Sequence, residues 1–108
     1  MLKERIQQDL KKALIEKREL ELSVLRMLSA AIQSSEKEKR YGISKEKTQL
    51  NSTELEKESQ LTDEETLGVL SSEAKKRKEA GDVFSRAGRQ DLAEKEKKEL
   101  EILQKYLP

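Results

Sequence analysis

The side chains in this sequence best placed to do chemistry are cations. Lys75-Lys76-Arg77-Lys78 form an unbroken basic run, and Arg86 and Arg89 follow shortly after. Six ammonium or guanidinium groups in so short a span can track a phosphate backbone. Glu73, Glu79 and Asp82 interleave with them, as on a solvated helix face, and the run itself carries no aromatic ring for a base to stack on. Contacts to an RNA backbone, rather than reading of its bases, are what these residues predict.

Other chemistries are excluded by what the chain lacks. Histidine and cysteine are both absent, which removes the usual proton shuttle, the thiolate nucleophile and the commonest metal ligands. A Cys-based glutaminase site and a His-assisted serine hydrolase triad are therefore impossible here. Ser71 and Lys75, and likewise Ser72 and Lys76, stand four residues apart and would face each other on a helix. A Ser-Lys pair also needs a desolvated, deprotonated lysine and an oxyanion hole, whereas this segment is strongly charged and has no Gly-rich loop. Solvated helix surface is the expectation. Asp63, Glu64 and Glu65 cluster where a helix should start, explained by the positive end of the helix dipole. Glu96 and Glu99 share a helix face and are explained by ion pairs with lysines. No metal and no cofactor is expected, and no phosphate-cradling GxxxxGK motif or dinucleotide fingerprint occurs.

The elements that must position these groups are helices. One domain is expected from 108 residues, of which 33% are hydrophobic, 42% charged and three aromatic. So little apolar material suits a narrow core between helix pairs. Leu2, Ile6, Leu10, Ala13 and Leu14 recur at spacings of three and four, as do Val24, Leu25, Leu28, Ala31 and Ile32. Each set is one stripe of an amphipathic helix, and the charged cluster Glu16-Lys17-Arg18-Glu19 between them reads as a helix-helix turn. Periodicity fails between Glu36 and Gln60, so residues 37–60 read as a flexible charged loop with one short helix after Ser52. Thr62 and Glu65 fit a capping box that opens a third helix. Its stripe runs through Leu67, Leu70 and Ala74, meets Arg77 and Gly81 where apolar residues are expected, and resumes at Phe84. Gly88 is suited to a left-handed C-terminal cap, after which Leu92, Leu100, Leu103 and Leu107 carry a fourth helix. The predicted fold is all-α: two consecutive antiparallel hairpins, about four helices, in an elongated bundle over residues 1–108.

Several blocks together resemble the GatB/YqeY family, named for a subunit of the tRNA-dependent amidotransferase and its stand-alone relatives. They are Asp9-Leu10-Lys11, then Leu22 to Leu28 with Ala30-Ala31-Ile32, and Leu61-Thr62-Asp63-Glu64-Glu65. Ala87-Gly88-Arg89-Gln90-Asp91-Leu92-Ala93-Glu94-Lys95-Glu96 is the most specific, followed by Glu99 to Leu103 and Tyr106-Leu107-Pro108. The resemblance implies a stand-alone YqeY-like helical domain related to the tail region of the amidotransferase subunit. There the appendage helps hold tRNA while other regions perform the chemistry, and a small tail domain, absent from these 108 residues, normally follows. The family-level label is a carbon-nitrogen ligase using glutamine as amide donor; the missing catalytic side chains speak against turnover by this chain alone. At the first turn, Lys17-Arg18-Glu19-Leu20-Glu21 puts acidic residues where relatives usually carry basic ones.

The expectation is therefore a non-catalytic, tRNA-associated helical module with Lys75, Lys76, Arg77, Lys78, Arg86 and Arg89 as RNA contacts. The alternative is a protein-interaction module in which Gly81 and Phe84, on the third helix, receive a partner helix or a second copy. No stretch approaches the roughly 18 consecutive apolar residues of a membrane span, and Met1-Leu2-Lys3-Glu4-Arg5 lacks the apolar core of a secretory signal, so a cytoplasmic protein that does not enter a membrane is expected.

Overall fold

The computed structural model describes residues 1–108, and its secondary structure is helical throughout: α1 (Leu2–Ile15), α2 (Glu19–Glu46), α3 (Ser52–Glu58), α4 (Asp63–Arg86) and α5 (Gln90–Gln104). α1 pairs with α2 and α4 with α5, giving the two expected hairpins. Where they meet, Ile6 and Ala13 of α1, Val24, Leu25, Leu28 and Ile32 of α2, Leu70 of α4, and Ile102, Leu103 and Tyr106 close a single core. Leu14, assigned by its spacing to the first stripe, instead lies on the solvent side with Ile15 in the last turn of α1.

Both hairpin turns are built in the same way. At the end of α4, Gly88 takes a left-handed φ of 76°, Arg89 N–H donates to Phe84 carbonyl at 2.9 Å and Gly88 N–H to Ser85 carbonyl at 3.1 Å. At the end of α1, Arg18 N–H donates to Ala13 carbonyl at 3.0 Å and Lys17 N–H to Leu14 carbonyl at 3.3 Å. This is the same pair of capping bonds, but the left-handed position, φ 57°, is held by Lys17.

The segment expected as a loop is mostly helix. Residues 37–46 continue α2, and α3 opens on a capping box in which Asn51 Oδ1 accepts from Glu54 N–H at 2.8 Å. Polar bonds do the work that apolar periodicity does elsewhere. Lys39 Nζ donates to the Gln60 carbonyl at 2.8 Å and to Glu65 Oε1 at 2.7 Å, while Glu36 Oε2 accepts from Lys3 Nζ at 2.7 Å and Leu61 N–H at 3.1 Å. These bonds tie α1, α2 and the start of α4 together at an end that has few large apolar side chains. Thr62 and Glu65 form the expected box at the start of α4, with Glu65 N–H donating to Thr62 Oγ1 at 3.2 Å.

The molecule measures 55 × 32 × 21 Å with a radius of gyration of 16.3 Å, against about 13 Å for a compact chain of this length. Part of the excess is the α4–α5 hairpin: between Lys75 and Lys98 no residue is fully buried. That stretch projects beyond the common core as an arm.

A candidate nucleic-acid interface on the projecting hairpin

The six basic residues expected to act together do not share one face. Arg77 points across the hairpin to α5, where its Nη1 donates to both carboxylate oxygens of Glu96 at 3.3 and 3.2 Å and lies 3.6 Å from Glu99 Oε2. Only 23% of its side chain is exposed. The apolar stripe is interrupted at Arg77 because the partner helix offers it carboxylates, not because the side chain escapes to water. Lys75, Lys78 and Arg86 are exposed on α4 and engage in no ion pair. Lys76 stands 3.6 Å from Glu73, and Arg89 clasps Asp91 through Nε and Nη2, both at 3.3 Å. This contact holds the Asp91 carboxyl below its ordinary value, with the Leu92 N–H helping.

The carboxylates are sorted unevenly. Residues 71–100 carry nine basic and seven acidic side chains. Glu73 and Glu99 are buried, Glu96 is nearly so, and Arg77 is the one cation drawn in with them. Outside remain eight cations, including Lys95, Lys97 and Lys98 on α5, and four acids: Glu79, Asp82, Asp91 and Glu94. Burial pushes the Glu96 carboxyl above its ordinary value; the Arg77 charge opposes this and the adjacent Glu99 carboxylate adds to it. The sequence balance is close to neutral, yet the arm's outer surface is positive by two to one. The α5 lysines were missed because attention to one contiguous run overlooks cations that a hairpin brings alongside it. Counting the acids that fall on the inward stripe, Glu73, Glu96 and Glu99, would have revealed the imbalance.

Gly81 faces α5. A β-carbon there would lie 3.6 Å from Glu96 Cβ and 3.9 Å from the Ala93 carbonyl, ordinary contact distances. Its inner side is therefore occupied by the neighbouring helix, while Phe84 is half-buried and Val83, 58% exposed, is the apolar residue that the arm presents most openly. Ser71, Ser72, Lys75 and Lys76 all lie at the surface. Asp63 accepts from Leu2 N–H at 3.1 Å, which caps α1 and is the main reason its carboxyl sits below the ordinary value.

The model of the Yqey-like protein family matches residues 3–108, which takes in all five helices but for the first residue of α1, and the whole of the arm. The chain belongs to this family. Over 47 residues, 44% of this Yqey-like chain, it is also 47% identical to an uncharacterized protein of Schizosaccharomyces pombe. That match takes in 38% of the yeast protein's length. No helix of the Yqey-like chain is long and apolar enough to cross a membrane.

Proposed function

We propose that this Yqey-like chain is a non-catalytic, tRNA-associated helical module, akin to the appendage by which the glutamine-dependent amidotransferase holds its tRNA. The observation that carries this reading is the arm's outer surface, where eight cations face four acids because the other three acids of the segment turn inward. Exposed cations spread along a hairpin suit a polyanion whose charges repeat along a groove, and neutralising them releases counterions. Lys75, Lys78 and Arg86 are the leading contacts on α4, with Lys76 and Arg89 beside them; Arg77 acts by holding the hairpin together. The chemistry of amide transfer belongs, in this reading, to other polypeptides, since the chain has neither imidazole nor thiol.

The test is tRNA binding by the purified chain in 50 and 200 mM salt. If about four phosphates are neutralised, affinity falls roughly a hundredfold between them. Absence of binding even in 50 mM salt would overturn the proposal. The rival reading, a protein-interaction module, rests on exposed Val83 beside half-buried Phe84; salt-insensitive self-association of the chain, lost in Val83→Glu, would favour it.

A further inference from the structure

Between α4 and α5, on one side of the arm, lies a cavity of about 210 Å³. Gly81, Ala93 and Leu100 supply an apolar floor, and Lys78 from α4 and Lys97 from α5 stand at its margin together with Asp82. Gly81 lines it without a side chain of its own, beside the point where a β-carbon would touch Glu96 Cβ and the Ala93 carbonyl. Neither lysine takes part in an ion pair. Arg77 lines the same cavity, and its Nε is buried with no hydrogen-bond acceptor, a state that buried donors rarely tolerate.

We infer that this cavity receives one unpaired nucleotide of the bound RNA, its base against the Gly81–Ala93–Leu100 floor and its phosphate between Lys78 and Lys97. The inference rests on the RNA-module reading and adds a subsite to it. At this size the cavity falls below the roughly 300 to 1,000 Å³ of pockets that enclose a whole small-molecule ligand, so it suits a single ring rather than a cofactor. An apolar floor flanked by two lysines outside any ion pair, against the single carboxylate of Asp82, matches a flat base joined to an anion, and every base offers such a face without its edges being read. A short acidic peptide with an apolar side chain has the same local chemistry. The surplus of cations continuing along the arm favours a polyanion over it. A base already looped out binds most readily, since it has no stacking or pairing left to lose.

The experiment compares an RNA hairpin carrying a single-nucleotide bulge with the same hairpin fully paired, by fluorescence anisotropy in 50 mM salt. The intact chain is expected to prefer the bulged RNA about tenfold, the order expected from covering one face of a base with aliphatic carbon. Gly81→Leu, which fills the cavity, removes that preference and leaves affinity for the paired hairpin unchanged; Lys97→Ala reduces the preference without altering the helix interface and serves if the leucine variant does not fold. Equal, salt-sensitive binding of both RNAs by the intact chain overturns the subsite and leaves the RNA module standing. Binding of neither RNA overturns both. Displacement of the paired hairpin, but not the bulge preference, by Gly81→Leu likewise contradicts the assignment.

Discussion

Arg77 and Glu96, 19 residues apart, meet across the α4–α5 hairpin with one guanidinium nitrogen shared between both carboxylate oxygens at 3.3 and 3.2 Å. The pair, with Glu99 at 3.6 Å, anchors the arm just beyond the apolar core. It also sharpens the positive balance of the surface, because nine cations to seven acids along the segment become eight to four on its outside once Arg77, Glu73, Glu96 and Glu99 turn inward.

Arg77→Ala leaves Glu96 and Glu99 facing each other, part-buried and without their cation. Removing one member of a well-buried pair costs about 3–5 kcal/mol, and the remaining exposure here brings the expected loss to about 2–3 kcal/mol in urea unfolding. Lys75→Ala and Lys78→Ala should change stability by less than about 0.5 kcal/mol. For tRNA affinity the order reverses: the lysine variants weaken binding more than Arg77→Ala does, measured where each variant is folded. Equal stability of all three variants would contradict the placement of Arg77.

Lys17 occupies, with φ 57°, the position that Gly88 occupies in the other hairpin turn. A side chain in that conformation costs about 1 kcal/mol relative to glycine. Lys17→Gly is therefore expected to stabilise the chain by about 0.5–1 kcal/mol, and Gly88→Ala to destabilise it by about 1 kcal/mol, both read from denaturant midpoints. A destabilised Lys17→Gly would count against the turn.

Gly81→Ala tests the hairpin from the other side. Its new methyl group would sit in ordinary contact with Glu96 Cβ at 3.6 Å, so helix propensity decides the sign. The expected gain is about 0.5–1 kcal/mol, visible as a higher melting temperature; a loss would mean that α5 lies closer than described.

Tyr106 donates its hydroxyl hydrogen to Asp9 Oδ2 at 2.6 Å and stacks under the Arg5 guanidinium, 4.9 Å from the ring centre. Burial first, then the bond to Asp9, pushes the phenol above its ordinary value. Folding thus favours the neutral phenol: its contribution is intact below the unfolded-state value of about 10 and is lost as pH rises toward the folded-state value. Tyr106→Phe should cost about 1–2 kcal/mol at pH 7 and should lose less stability than the parent between pH 9 and pH 11. Parallel losses in thermal unfolding would contradict this.

Much of the fold was legible because its signals are local. The capping box at Thr62 and Glu65, the cap at Gly88 and the stripe through Val24, Leu25, Leu28 and Ile32 each follow from short-range rules, and the structure has all three. The short helix expected after Ser52 is present as α3, but residues 37–46, which extend α2, were not legible. Their support is polar and distant in sequence, as in Lys39 reaching Gln60 and Glu65, and hydrophobic periodicity does not register such bonds. The candidate site was half legible for the same reason. Lys75, Lys78 and Arg86 are recognisable as cations on a helix, but only the approach of α5 shows that Arg77 is spent on Glu96 and that Lys95, Lys97 and Lys98 join the outer surface.

The most direct test of the central claim is a backbone amide NMR titration of the labelled chain with tRNA in 50 mM salt. The account predicts that the largest shifts fall on the outer surface of the arm, at Lys75, Lys78 and Arg86 of α4 and at Lys97 and Lys98 of α5, while Val24, Leu28 and their neighbours in α2 stay in place. Shifts concentrated on α1 and α2, or none at all at saturating tRNA, would contradict it.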